Sequence, residues 1–312
     1  MTNPFIQTAH QGKNEGWRYL LGSLLILFAF IIPGGLVSYG LLIAYITHDG
    51  DPATRLLAPT EVVPGEPPIA GIGPLALFVF YNLAFIVFLV SIYLVIRFLH
   101  RRSFRSLITP VSRISWRRIG QGFGVFFGLK VIEIGLSYWA APQNFTLNFQ
   151  ANQFFLFLGW VLLLTPLQIA AEELFCRGYL LQGIGSKLGK WMGILLPSLL
   201  FTLLHAANPE VASQSDWEGI FSIIGYYFVI GAFLAWLTVK DQTLELALGV
   251  HAANNIATFL LVTSPNSVIP SPALFSIRKI EANFTSLFFT VLLLFAFTFI
   301  IFRLLRRPVL PR

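Results

Sequence analysis

Three ionisable side chains, Glu172, Glu173 and Arg177, lie in a stretch that is otherwise almost entirely apolar, residues 169–178. A charged side chain near the centre of a bilayer costs about 2.5–3.5 kcal/mol on insertion scales, so such residues are candidates for a function. If the stretch is helical, Glu173 and Arg177 lie on one face, four residues apart, and can form an ion pair. Glu172 is rotated by about 100° from Glu173 and therefore faces another part of the chain.

Two histidines in other apolar runs, His205 and His251, are the candidate partners of Glu172. His251 is followed by Asn254 and Asn255, three and four residues later, and both positions can share its helix face. Unpaired polar groups are costly in an apolar interior. The sequence therefore predicts that three apolar helices bury this carboxylate, the two imidazoles and one or two amides together.

The composition indicates the solvent in which these helices lie. The chain has 312 residues, of which 56% are hydrophobic and 11% charged, and its mean hydropathy is +0.74. Soluble domains average about 25% charged residues, so lipid surrounds most of this chain. The net charge of +7 does not indicate a nucleic-acid partner, because the bases cluster at the ends of apolar runs.

We predict an all-α fold, a polytopic transmembrane helix bundle of about eight spans. The expected spans are 19–46, 74–99, 120–140, 154 into the 172–173 pair, 191–207, 220–239, 244–262 and 284–305. The third span contains Lys130 and Glu133, three residues apart, which we expect to pair with each other.

Loop charges predict the orientation of the bundle. The segment 97–118 carries seven arginines and no acid, whereas the loop 47–72 carries four acids and the single base Arg55. The positive-inside rule places the arginine-rich segment and both termini in the cytoplasm. Arg278 and Lys279 fall outside and are an exception to this rule.

We divide the chain into three parts. Residues 1–153 hold spans one to three and the basic linker 97–118, and residues 154–263 form the core that holds the candidate site residues, spans four to seven. Residues 264–312 hold an outer loop, the last span and a basic tail.

Three motifs carry a resemblance to a known family. Glu-Glu-x-x-x-Arg at 172–177, Phe-x-x-x-His at 201–205 and His-x-x-x-Asn at 251–255 lie in that order on separate spans. Together they resemble the motifs of the CPBP family of CAAX prenyl endopeptidases and bacteriocin-processing enzymes, also called Abi proteins. Each motif alone is a weak signal, but their order on nearly uncharged spans is specific. The resemblance covers roughly residues 154–262.

The resemblance implies an intramembrane endopeptidase. Glu172 with His205 would activate a water molecule, and His251 with Asn255 would stabilise the oxyanion. Glu173 and Arg177 would form a structural ion pair. The implied partners are membrane lipids and a peptide or protein substrate, lipid-modified CAAX-type substrates included, and the implied location is the bacterial cytoplasmic membrane. No cofactor would be required.

Other interpretations of the same residues stay open. Glu172, His205 and His251 are a possible three-ligand set for a catalytic zinc ion with an open water position, as in a metalloendopeptidase. Asn255 favours the metal-independent mechanism, because a zinc site has no need of it. A non-catalytic membrane scaffold or chaperone could use the same polar cavity. A proton-coupled transporter is disfavoured because the two halves of the chain show no repeat.

Overall fold

The computed structural model describes residues 3–49, 55–56, 69–278, 280 and 282–305. Most of the predicted acidic loop, Lys279 and the tail from residue 306 lie outside the described residues. The α-helices in the described part are α1 Pro4–Gln7, α2 Gly16–Ala29, α3 Gly35–Asp49, α4 Pro74–Leu94, α5 Trp116–Ala140, α6 Ala151–Glu173, α7 Leu181–Leu188, α8 Lys190–His205, α9 Pro209–Ala212, α10 Trp217–Asp241, α11 Glu245–Leu260 and α12 Phe284–Phe299.

Short elements connect or extend these helices. The strands are β1 Arg55–Leu56, β2 Ile69–Ala70, β3 Phe145–Leu147, β4 Val262–Thr263 and β5 Phe275–Ile277. Turns of π-helix at Phe30–Gly34, Val95–Leu99, Leu174–Leu180 and Ile300–Leu304 continue α2, α4, α6 and α12. Single 3-10 turns cover Thr8–Gln11, Phe104–Leu107 and Pro142–Asn144.

The prediction of an all-α polytopic bundle is confirmed. Each of the eight predicted spans corresponds to a helix, and among the described residues six helical segments are long and apolar enough to cross a membrane. These six are Gly16–His48, Pro74–Leu99, Trp116–Ala140, Ala151–Leu188, Trp217–Asp241 and Phe284–Leu304. The helices α8 and α11 have 16 residues each, or about 24 Å, which is shorter than the hydrocarbon core.

One end of the bundle, here called the arginine-rich end, contains residues 97–118. The amide of Leu244, in the α10–α11 turn, donates to the carbonyl of Ile108 over 2.8 Å. Arg118 lies 3.7 Å from Glu245 at the start of α11. The α10–α11 turn is therefore fixed to the arginine-rich segment.

The opposite end, here called the sheet end, contains the loops 141–150, 206–216 and 261–283. Strand β5 pairs antiparallel with β3 and parallel with β4, with Phe145 opposite Ile277 and Val262 opposite Phe275. The Gln214 side chain donates to the carbonyl of Ile280 over 2.9 Å. These contacts join the three loops, and the 25-residue helix α5, about 37 Å long, separates them from residues 97–118.

The helix that carries Glu172 changes its winding directly after Glu173. All seven residues of the π-helical turn Leu174–Leu180 are buried. Within it, the Tyr179 hydroxyl lies 2.9 Å from His100 Nε2 at the arginine-rich end. Burial lowers the pKa of His100 to about 4, so its neutral ring donates Nδ1–H to the carbonyl of Lys13 and accepts at Nε2. The contact between Tyr179 and His100 anchors the π-helical turn to the arginine-rich end.

Glycines set the separation of α5 and α11, the helix that carries His251. A Cβ atom at Gly249 would lie 2.1 Å from the carbonyl oxygen of Ile119, and one at Gly122 would lie 2.6 Å from that of Leu246. Small residues permit this close backbone approach between membrane helices. The position of His251 thus depends on the absence of a Cβ atom at Gly122 and Gly249.

We expect Gly249→Ala to lower the free energy of unfolding by about 1–3 kcal/mol, because the added methyl group forces two backbones apart. The matched control is Gly128→Ala in α5, where an added Cβ meets nothing within 4 Å, and it should stay within about 0.5 kcal/mol of the unmodified protein. Thermal unfolding in detergent measures both variants. Equal melting temperatures for the two would contradict the close packing of α5 and α11.

Candidate active site

A cavity of about 1520 Å³ lies among the helices that carry the three motifs. Most of its lining is apolar, but Gln168, Glu172, His205, Asn254 and Asn255 contribute polar groups to it. A few convergent polar side chains in a large apolar cavity are typical of a binding or active site. The cavity is therefore the candidate active site.

Glu173 is the centre of a buried cluster beside this cavity. Its Oε1 atom accepts from Arg177 Nη1 over 2.6 Å and lies 2.8 Å from His251 Nδ1. Glu173 and Arg177 are completely buried, and the side chain of His251 is 5% exposed. The predicted ion pair is present, and the bond from Glu173 to His251 is an addition that the sequence did not predict.

Glu172 points away from this cluster and is held by two neighbours. Its Oε1 atom accepts from the Gln168 amide over 3.2 Å, and its Oε2 atom lies 3.7 Å from His251 Nε2. Sequence reasoning missed Gln168, although a polar residue four positions before Glu172 in an apolar helix is a usable signal. One imidazole thus faces two carboxylates, Glu173 through Nδ1 and Glu172 through Nε2.

His205 ends α8 and presents one ring nitrogen to the cavity. Its Nδ1 atom lies 2.7 Å from the carbonyl oxygen of Phe201. A carbonyl oxygen only accepts, so Nδ1 carries a proton, and Nε2 is the nitrogen that is left to contact a ligand in the cavity. The ring packs on Tyr227, with centroids 4.6 Å apart, which fixes its orientation.

The ring of Phe201 links His205 to the buried cluster. Its centroid lies 4.3 Å from that of His205 and 6.1 Å from that of His251. The Arg177 guanidinium carbon lies 4.4 Å from the same ring, within the range of a cation–π contact. Phe201 therefore lies between the two histidines, of which His205 lines the cavity and His251 belongs to the buried cluster beside it.

Asn255 is oriented through its neighbour. Its side-chain oxygen accepts from the Asn254 amide over 3.3 Å, and the Asn254 oxygen accepts from the Tyr226 hydroxyl over 3.3 Å. Because the oxygen of Asn255 is occupied, its amide nitrogen is the atom that can serve as a donor in the cavity.

The predicted pair of Lys130 and Glu133 lines the same cavity, with 2.5 Å between the two charged groups.

The four predicted catalytic residues are therefore not all in direct contact. Glu172 and His251 face each other, whereas His205 and Asn255 reach the same cavity from α8 and α11. A catalytic zinc ion needs three ligands close to one point. Within the described residues, no group of three or more His, Cys, Asp or Glu side chains could hold a metal ion. We therefore derive no step through a metal.

The comparisons with known proteins agree with these motifs. A family model described as type II CAAX prenyl endopeptidase Rce1-like matches residues 152–257. The uncharacterized protein YyaK of Bacillus subtilis (strain 168) is 32% identical over 290 residues, which are 89% of this chain and 88% of YyaK. The chain belongs to the CPBP family. No solved structure matches it.

Family membership and the apolar helices make the chain an integral membrane protein of the CAAX-protease type. CPBP proteases of this type act on a peptide or protein, so this member has a polypeptide substrate. The matched residues 152–257 include all three motifs.

We expect Glu173→Gln to lower the free energy of unfolding by about 3–5 kcal/mol, because it leaves the Arg177 guanidinium buried without a carboxylate. Adding Arg177→Met to Glu173→Gln should restore most of this stability, since neither charge then remains. Thermal unfolding of the three proteins in detergent measures the effect. If the double variant is no more stable than Glu173→Gln, the ion pair is not the reason for the loss.

Proposed function

We propose that this CPBP-family protein is an intramembrane endopeptidase in which Glu172 and His205 activate the attacking water. The observation that carries the proposal is the Glu172 carboxylate itself. Gln168 holds one of its oxygens, the other faces His251 at 3.7 Å, and the side chain is 12% exposed beside a cavity large enough for a peptide. A carboxylate in this position is available for proton transfer.

In the proposed mechanism a water molecule binds between Glu172 and Nε2 of His205 and attacks the carbonyl carbon of the scissile peptide bond. Glu172 takes a proton from the water molecule while the water oxygen forms the new C–O bond. The carbonyl π electrons move to oxygen and give a tetrahedral oxyanion. When the C–N bond breaks, the proton passes to the leaving nitrogen, and Glu172 returns to its ionised form.

The oxyanion needs donors that are already aimed at it. The proposal takes both ring nitrogens of His251 as protonated. Nδ1 then donates to Glu173, and Nε2, which lies 3.7 Å from Glu172, donates to the oxyanion, with the amide nitrogen of Asn255 as the second donor. Glu173 orients the His251 ring. Arg177 in turn fixes Glu173. Through Glu173, the buried cluster therefore positions His251 for its proposed contact with the substrate.

The proposed substrate is an extended peptide segment, and lipid-modified CAAX-type segments fit because the cavity lining is largely apolar. The proposed location is the bacterial cytoplasmic membrane, which fits the arginine-rich segment 97–118. The proposal requires no cofactor. The alternative is hydrolysis at a zinc ion held by Glu172, His205 and His251, which these side chains could bind only after moving closer together.

We expect Glu172→Gln and His205→Ala each to lower kcat/KM by about 10²–10⁴, because the first removes the base that takes the proton of the water and the second removes the nitrogen that binds the water. The measurement uses purified protein and a fluorogenic peptide selected from a library for cleavage by the unmodified chain. Ser137→Ala, an exposed cavity-lining position in α5, is the control and should retain activity. Full turnover by folded Glu172→Gln protein would end the proposed mechanism.

The peptide assay separates the zinc-dependent alternative from the proposed mechanism, and an experiment in cells separates the scaffold or chaperone alternative. A chelator stops a zinc-dependent enzyme, and added zinc restores it, whereas the proposed mechanism is insensitive to both. A scaffold or chaperone is identified in cells, because its function survives Glu172→Gln and His205→Ala.

We expect Asn255→Ala to lower kcat by about 10²–10³ with little change in KM, because the amide acts only on the oxyanion. Asn254→Ala is the matched control, since it removes the amide that orients Asn255 and should cost less than about tenfold. Steady-state kinetics on the same peptide measure both variants. Equal losses for the two, or a change confined to KM, would remove Asn255 from the proposed oxyanion site.

A further inference from the structure

The cavity lies towards the sheet end of the bundle and reaches the middle of the helices. Its lining in α5 falls within residues 129–140, in α10 within 222–227 and in α11 within 254–259. Each of these ranges belongs to the half of its helix nearer the sheet end. Loop residues of the sheet end, among them Asn208, Ser267 and Ile280, also line the cavity, whereas none of residues 97–118, all of which are described, does so.

Charge distinguishes the two ends. Seven arginines lie at the arginine-rich end within residues 97–118, and Lys187, Lys190 and Lys240 lie in the terminal turns of helices that end there. The described sheet-end loops and the adjoining first turn of α10 carry Glu210, Asp216 and Glu218 against Arg278. The positive-inside rule assigns the arginine-rich end to the cytoplasm, and the sheet end then faces the other side of the membrane.

The cavity also meets the lipid-facing surface of the bundle. Apolar side chains that line it are strongly exposed, with Ile31 at 60%, Ile132 at 59% and Phe289 at 56%. In a bilayer these side chains contact acyl chains, so the mouth of the cavity is continuous with lipid. Exposed polar residues at the start of α12, Asn283, Thr285 and Ser286, complete the rim at the sheet end.

From these observations we infer that the cavity opens to the non-cytoplasmic side of the membrane, and that the substrate is a membrane-anchored polypeptide whose scissile segment lies on that side. The apolar mouth receives the part of the substrate next to its anchor, and the polar rim receives the part that leaves the membrane. The choice of substrate rests on the proposed endopeptidase function. The side of the opening does not, because it follows from the lining and the loop charges.

The side of the opening is measured by labelling introduced cysteines with a membrane-impermeant maleimide. Thr285→Cys places a thiol on the cavity rim, and Ser112→Cys places one at an exposed position of the arginine-rich end. The native Cys176 is 2% exposed, so the unmodified chain gives the blank. In spheroplasts, Thr285→Cys should label at least tenfold more than Ser112→Cys, and permeabilisation should make the two equal. Preferential labelling of Ser112→Cys, or equal labelling before permeabilisation, overturns the inference.

The substrate is tested with two single-span reporters that carry the same peptide, selected for cleavage by the purified protein, next to the anchor. One reporter presents the peptide on the non-cytoplasmic side and the other on the cytoplasmic side. We expect at least tenfold more cleavage of the first, and none in cells carrying Glu172→Gln. Cleavage of the cytoplasmic reporter, or of neither, overturns the substrate assignment. Full turnover by purified Glu172→Gln protein is a different result, which ends the proposed mechanism and leaves the labelling ratio unaffected.

Discussion

One oxygen of Glu173 accepts from both Arg177 and His251, and the arrangement of the site depends on this shared carboxylate. Arg177 and Glu173 are fully buried, so neither charge is tolerable alone in an apolar interior. The shared oxygen joins the helix that carries Glu172 to α11, which carries His251. The second nitrogen of His251 then faces Glu172. The Glu173 carboxylate, which neutralises the buried charge of Arg177, therefore also orients the His251 ring towards Glu172.

Backbone contacts and ring packing keep this arrangement rigid. The close approach of Gly249 to Ile119 fixes α11 against α5, and the ring of Phe201 fills the space between His205 and His251. The ring of Tyr227 also packs against the ring of His205. In this way apolar and aromatic contacts hold polar side chains on three separate helices at defined distances, without direct bonds between all of them.

The sequence predicted those features that depend on local spacing. Apolar runs between charged loops predicted the helices, and the spacing of four residues predicted the Glu173–Arg177 pair. Spacing along one helix gives the face on which a side chain lies, but not the helix opposite, so the bond from Glu173 to His251 was not predicted. The π-helical turn after Glu173 and the part that α4, α5, α10 and α12 take in lining the cavity were not predicted, since both result from packing between distant segments.

The π-helical turn Leu174–Leu180 separates two halves of one continuous helix that have different neighbours. Above it, Gln168 and Glu172 face the cavity, and below it α7 packs on the N-terminal helix, where Gly185 lies against Ile6. A wider turn holds an additional residue and breaks the angular register between the two halves. We therefore expect a substitution at Gln168, before the turn, to leave the packing of α7 on the N-terminal helix intact, whereas Phe175 and Cys176 within the turn belong to both the cavity and the buried core.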